Sequence, residues 1–137
     1  MERTFIIIKP EGVRRGLIGE VLSRFERKGL RIARLTTGHI PEKVAREHYA
    51  HLKDKPFFDE LVEYMTSGMV CMAIIEGPNA IQHVRNLIGA TNPVEAAPGT
   101  IRGDFATELP YNIVHASDSP ETAIAEIARF FGTEEDA

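Results

Sequence analysis

Hydrophobic positions along the chain follow two rhythms in turn. Residues 3–8, Arg-Thr-Phe-Ile-Ile-Ile, end in four consecutive apolar residues and are read as a buried strand. From Leu17 the period lengthens: Leu17, Ile18, Val21, Leu22 and Phe25 share one helical face, and Gly29 suits the helix C-terminus. Residues 30–40 alternate roughly and predict a second strand. Pro41 fits a first helical position, and residues 42–52 predict a helix. Pro56 opens a further helix over residues 57–67, which Gly68 closes. Residues 69–76 predict a third strand, and Gly77-Pro78 a turn. The helix that follows turns Ile81, Val84, Leu87 and Ile88 inward. Residues 111–115 predict a short fourth strand that stops at a histidine. The last helix spans residues 120–131, capped by Asp118 or Ser119, with Ala123, Ile124, Ile127, Ala128 and Phe131 as its buried stripe. The terminal Gly-Thr-Glu-Glu-Asp-Ala is expected to fray.

Between residues 90 and 110 both rhythms fail. This stretch holds three prolines and two glycines, and a loop so long in a compact domain is usually functional or disordered. Its rigid prolines and the embedded Thr-Ile-Arg-Gly-Asp argue for an ordered loop. The element order is thus β-α-β-α-α-β-α-loop-β-α. With one or two helices set aside as decoration, it becomes the split βαββαβ pattern of ferredoxin-like sandwiches, an α/β (α+β) fold with a four-stranded antiparallel sheet. Periodicity alone leaves a small doubly wound sheet as an alternative. Without repeats, linkers or low-complexity segments, residues 1–137 read as a single domain.

Composition narrows the class. The chain has 137 residues, 43% apolar and 26% charged, as in ordinary globular proteins. No apolar run approaches the ~18 residues of a membrane helix, and the opening run is too short for a signal peptide, so a cytoplasmic protein is expected. The single cysteine, Cys71, excludes an internal disulfide and sits in an apolar run as a small buried residue. Net charge is −4, unevenly spread. Residues 1–34 hold nine Lys/Arg against four Asp/Glu, while residues 104–137 hold one Arg against eight acids. Opposite solvated faces explain this division. An acidic total argues against generic nucleic-acid binding but leaves room for a small anion where a few cations converge.

Several polar residues stand where structure alone does not ask for them. Lys9 ends the first strand, Arg85 lies on the helix after the Gly77-Pro78 turn, and Thr91 and Arg102 lie in the long loop. Asn112 flanks the fourth strand and His115 ends it. Each has a plain reading: a surface lysine, an exposed helical arginine, an arginine bracing its loop through Asp104, a turn-forming asparagine, a structurally satisfied histidine. If they converge, they become a phosphate site built around a histidine able to act as nucleophile or general acid/base. The common Gly-rich phosphate cradle is absent from the sequence. His48 and His51, with Asp54 nearby, suggest a metal site, but no clear closing ligand appears.

The motifs Asn-Ile-Val-His-Ala-Ser-Asp-Ser, His-Tyr-Ala-His-Leu-Lys-Asp-Lys-Pro-Phe-Phe, Thr-Asn-Pro-Val-Glu-Ala-Ala-Pro-Gly-Thr-Ile-Arg-Gly-Asp-Phe and the opening Thr-Phe-Ile-Ile-Ile-Lys-Pro-Glu-Gly together resemble the nucleoside diphosphate kinase family. The resemblance covers nearly the whole chain, in order, and the Asn-x-x-His-x-Ser-Asp-Ser motif is highly specific. It implies transfer of the γ-phosphate of a nucleoside triphosphate, mainly ATP, to nucleoside diphosphates, which maintains NTP and dNTP pools. One pocket serves both halves of a ping-pong reaction through a pros-phosphohistidine on His115. The resemblance assigns Lys9 and Tyr49 to the transferred phosphate, and Arg85, Thr91 and Arg102 to the outer phosphates. It assigns Phe57 to stacking on the base, Asn112 to the sugar, and Ser117 and Glu126 to support of the histidine. Mg²⁺ is expected on the nucleotide phosphates, with no metal ligands from the protein. A homo-oligomer is implied, a hexamer favoured over a tetramer, because the loop around Pro93 is kept.

Two features depart from the family pattern. Ala116 follows the histidine where the family usually has glycine, and a Cβ there restricts the backbone. The chain also ends soon after its last helix. Two other readings compete. An RNA-binding module shares the βαββαβ order but needs aromatic residues on its central strands and a basic face; the third strand here has no aromatics. A catalytically weakened relative kept for protein contacts is the other, and turnover with and without His115→Gln separates it.

Overall fold

The computed structural model describes residues 1–132; most of the terminal segment expected to fray, residues 133–137, lies outside the described residues. Four strands, β1 (Glu2–Ile8), β2 (Arg31–Gly38), β3 (Val70–Gly77) and β4 (Val114–Ala116), form one sheet in the order β2-β3-β1-β4, every neighbouring pair antiparallel. This order is that of the split βαββαβ pattern, and it removes the doubly wound alternative. Seven α-helices accompany the sheet: α1 (Pro10–Arg14), α2 (Ile18–Lys28), α3 (Glu42–His48), α4 (Phe58–Met65), α5 (Ala80–Ile88), α6 (Ile101–Phe105) and α7 (Pro120–Phe131).

Both faces of the sheet are covered, which explains why β1 reads as an unbroken apolar run and not as an alternation. Ile6 and Ile8 point into a core with Val21, Leu22 and Phe25 of α2 and Val84 and Ile88 of α5. Phe5 and Ile7 point the other way, into a core with Ala45 of α3, Phe58, Val62 and Met65 of α4, and, less buried, Ile127, Phe130 and Phe131 of α7. Each fully buried side chain of this kind stabilises the fold by about 1.5–3 kcal/mol. The strand β2 is an outer strand, which accounts for its rough alternation, and its register slips between Ile32 and Arg34.

Local chemistry sets most boundaries. Gly29, at φ 101°, ends α2, and the Leu30 N–H returns to the Phe25 carbonyl. Ser119, not Asp118, caps α7, its hydroxyl accepting from the Thr122 N–H at 3.1 Å. Several expectations are corrected. Helix α1, directly after β1, has too few residues to show a period. The helix expected over 42–52 stops at His48 and continues as a 3-10 turn at Ala50–Leu52, with Pro41 just outside it. The loop of residues 90–110 holds α6 and a 3-10 turn at Pro93–Glu95. The strand β4 is three residues long, because Ile113 takes a left-handed φ of 72°. In α7 the buried stripe is rotated: Ile124 is 73% exposed and Ala128 is exposed, while Ala123 and Glu126 are buried. A carboxylate at position 126 hides the stripe from a reading based on apolar residues alone.

Candidate active site

Because β1 and β4 are antiparallel neighbours, Lys9 just beyond β1 is brought beside Asn112 just before β4. The Lys9 N–H donates to the Ile113 carbonyl at 2.7 Å, and Lys9 Nζ donates to Asn112 Oδ1 at 2.6 Å. Ile113 holds the turn between them in a conformation that costs a β-branched residue roughly 1–3 kcal/mol. Its side chain is fully buried against the backbone of Gly12, where an added Cβ would lie 3.1–3.2 Å from Ile8 and Ile113.

From the other side α6 supplies Arg102. The Thr100 hydroxyl caps this helix by accepting from the Gly103 N–H at 3.0 Å. Arg102 is buried, and its guanidinium donates to three carbonyls: Asn112 at 3.2 Å, Gly89 at 3.0 Å and Val114 at 2.7 Å. It does not brace the loop through Asp104, which pairs with Arg24 at 2.8 Å. Arg85 of α5 donates to the Ala116 carbonyl at 3.3 Å. Thr91 accepts from Asn112 Nδ2 through its carbonyl at 2.9 Å. Burial, reinforced by Arg102, pushes the Lys9 ammonium down to about 7. Burial, reinforced by Arg85, pushes Arg102 down to about 10. Three cations thus share one low-dielectric wall.

These residues and His115 line one cavity of about 700 Å³. Tyr49 lies in its wall, buried, its hydroxyl without a protein partner, and burial raises that hydroxyl's pKa. Phe57 stands at the mouth, 48% exposed. The residues singled out in the sequence as a possible phosphate site (Lys9, Arg85, Thr91, Arg102, Asn112 and His115) therefore converge.

His115 sits on β4 with its side chain 22% exposed. Its Nε2 lies 3.0 and 3.1 Å from the two carboxylate oxygens of Glu126, in the second turn of α7. The packing of α7 against β1 folds Glu126 back to this position. The buried Ser117 hydroxyl donates to Glu126 Oε1 at 2.6 Å. Burial opposes a charge on Glu126, but the hydrogen bonds from His115 and Ser117 outweigh it and hold the carboxyl below its usual range. An ionised carboxylate only accepts, so Nε2 carries the proton and the imidazole lone pair is left on Nδ1.

A second imidazole lies against the first. The ring of His48 meets that of His115 edge-on, centroids 4.7 Å apart, and its Nδ1 is 3.8 Å from Glu126 Oε2. Burial, then His115, push His48 down to about 3, so it is neutral. His48, His51 and Asp54 do not gather: His51 is exposed on the 3-10 turn, and among the described residues His48 groups with His115 and Glu126. Arg129 donates to His48 Nδ1 at 3.0 Å, and the Glu126 oxygens are already taken up by His115 and Ser117. A guanidinium and a satisfied carboxylate suit an internal network and not a cation site. Sequence reasoning singled out His48 only as a metal-ligand candidate and missed Arg129, because the contacts of both arise only when α3 and α7 pack beside β4.

Glu60 and Asp118 are the carboxylates of the cavity wall, and neither belongs to a group of three ligands among the described residues. One or two carboxylates suit a hydrated Mg²⁺ ion, which retains most of its waters.

A four-stranded antiparallel sheet, with a cationic pocket around a histidine locked by a carboxylate, defines a phosphate-handling enzyme. The family model for nucleoside diphosphate kinase matches residues 2–135. A nucleoside diphosphate kinase of Archaeoglobus fulgidus is 56% identical over 98% of this chain and 89% of its own length. The crystal structure of a nucleoside diphosphate kinase family protein from Babesia bovis superposes with a TM-score of 0.94 at 52% identity, covering 99% of this chain and 91% of that one. A halophilic nucleoside diphosphate kinase from Halobacterium salinarum, solved in complex with CDP, superposes with a TM-score of 0.94 at 48% identity, covering 98% of this chain and 90% of that one. The chain belongs to the nucleoside diphosphate kinase family and is an enzyme of that class, a phosphotransferase acting on nucleotides.

Proposed function

We propose that this enzyme moves the γ-phosphate of a nucleoside triphosphate, mainly ATP, to nucleoside diphosphates in two half-reactions through a phosphohistidine on His115. The observation that carries the reading is the lock on Nε2: Glu126 and Ser117 hold its proton in place, and Nδ1, the pros nitrogen, keeps the lone pair. In the first half-reaction the Nδ1–phosphorus bond forms as the bond from phosphorus to the bridging oxygen breaks, and the diphosphate leaves with that electron pair. In the second, a terminal oxygen of another nucleoside diphosphate takes the phosphoryl group and Nδ1 recovers its pair. Donor and acceptor are chemically alike, so one pocket suffices.

Phosphoryl transfer is chiefly a matter of positioning and charge neutralisation. Lys9 and Tyr49 serve the transferred group, while Arg85, Thr91 and Arg102 hold the outer phosphates, and all five line the cavity. Asn112 serves the sugar, and its bond to Lys9 ties sugar placement to phosphate placement. Phe57, exposed at the mouth, stacks on the base, and stacking tolerates any base. A Mg²⁺ ion accompanying the nucleotide would supply further charge neutralisation, with Glu60 and Asp118 the carboxylates of the cavity wall. The protein then acts in keeping NTP and dNTP pools in balance. We also read residues 1–137 as one domain, located in the cytoplasm, in keeping with the absence of any helix long and apolar enough to cross a membrane among the described residues. Assembly into a homo-hexamer, preferred to a tetramer, follows from the family resemblance, and Val94, 83% exposed beside Pro93, is an apolar residue on the segment such a contact would use.

The test uses ATP labelled on its γ-phosphate, with Mg²⁺ and no acceptor. Label is expected on His115, stable to base and lost in acid, and should chase into GTP when GDP is added; His115→Gln should take up none. A folded protein that binds ATP and takes up no label would sink the phosphohistidine.

A further inference from the structure

His48 and His115 face one carboxylate. Glu126 Oε2 lies 3.1 Å from His115 Nε2 and 3.8 Å from His48 Nδ1. A proton on His48 Nδ1 would need only a small ring tilt to reach that oxygen and compete with His115 for it. The Arg129 guanidinium prevents this, because Nη1 donates to His48 Nδ1 at 3.0 Å and a guanidinium has no acceptor. A nitrogen that accepts carries no proton in a neutral ring, so the His48 proton is forced to Nε2. The ring itself is wedged edge-on between Tyr49, at 4.6 Å, and Phe130, at 5.2 Å, and so cannot escape by swinging out. Arg129 is in turn held by Glu47, Nε to Oε1 at 3.3 Å.

We infer that Arg129 is a positioning residue for phosphate transfer: by fixing the tautomer of His48 it reserves Glu126 for His115. His48 acts as an edge-on wall that keeps the His115 ring at its angle, and Arg129 keeps that wall from drawing the carboxylate away. Arg129 does not line the cavity and reaches the nucleophile only through two other side chains. The inference rests on His115 as the phosphate carrier.

The test compares wild type with Arg129→Met, which keeps length and loses the donor and the charge, and Arg129→Lys, which restores a cationic donor. Glu47→Gln is the control, since it removes only the outer ion pair. Imidazole nitrogen NMR on the unliganded proteins reads the tautomer without any turnover. In wild type, His48 should show an unprotonated Nδ1 and a protonated Nε2. Arg129→Met should move the proton onto Nδ1. It should also slow labelling of His115 and kcat by about tenfold, the scale of one hydrogen bond to a charged group, with KM for the nucleotide little changed. Arg129→Lys should recover most of both readouts, and Glu47→Gln should match wild type. An unmoved tautomer in Arg129→Met, or a moved tautomer with an unchanged labelling rate, would overturn the positioning role alone. Wild type that takes up no phosphate would instead overturn the phosphohistidine reading, and this role with it.

Discussion

Lys9, proposed to serve the transferred phosphate, is also a liability of this fold. Burial presses its ammonium down to about 7, with Arg102 adding to the effect, against an ordinary value of 10.5. The sign of the linkage follows. Between about pH 7 and 10.5 the unfolded chain holds a proton on Lys9 that the native chain does not, so this residue makes stability rise with pH across that window. Below it, the native state carries the full cost of a buried charge. Lys9→Met should therefore raise the melting temperature most at pH 6 and least near pH 10, while phosphate transfer falls at every pH; scanning calorimetry of both proteins at the two pH values checks this. A nucleotide phosphate pulls the other way, so binding should take up a proton at Lys9. Ala116 presents the opposite case. It lies in β4, paired with Ile6, and is not among the residues with positive φ, so its Cβ demands no special backbone here. The backbone restriction expected of a Cβ at that position is therefore absent from this structure.

At the scale of elements, two of the shortest, α6 and β4, supply Arg102 and His115 to the cavity wall. Helix α6 has five residues, yet it delivers Arg102 to three carbonyls on two other segments. It cannot stand on its own hydrogen bonds, as isolated helices of this length are unstable. It stands because Thr100 caps it and because Gly103 lets the backbone of Ala97 come close; an added Cβ would collide with the Ala97 carbonyl and approach the Thr100 hydroxyl. Gly103→Ala should cost about 1–3 kcal/mol, as overpacking of a tight site does, and should lower phosphate transfer more than its stability loss explains, because Arg102 is carried away with the helix. Urea denaturation alongside steady-state kinetics checks both. The helix expected over residues 42–52 breaks at His48, and Tyr49, the residue at the break, enters the cavity wall with its ring edge-on to His48 at 4.6 Å.

At the scale of the whole molecule, β1 contributes Ile6 and Ile8 to one core and Phe5 and Ile7 to the other, and the chain delivers Lys9 to the pocket directly beyond it. The surface next to the pocket is different: Val94 and Leu109 are exposed apolar residues on the segment between α5 and β4. If the proposed hexamer covers this segment, Val94→Asp places a charge in a desolvated contact. The assembly should then fall to a smaller species by light scattering at micromolar concentration, with the monomer fold kept by circular dichroism; an unchanged mass would remove this segment from the interface. The sequence by itself determined the order of the strands and of the longer helices, the shared face of α2, the burial of Phe5–Ile8 in β1 and which polar residues stand out as candidates, because these depend on period and side-chain type within a short window. The sheet order was legible only as a pattern, since the same periods also suit a parallel sheet. Tertiary structure alone decided that Glu126, eleven residues from His115, returns to its Nε2, that Ile113 bends the chain into the left-handed region, and that Arg129 meets His48. Those are contacts between separate elements, fixed by how the layers pack, and no local period records them.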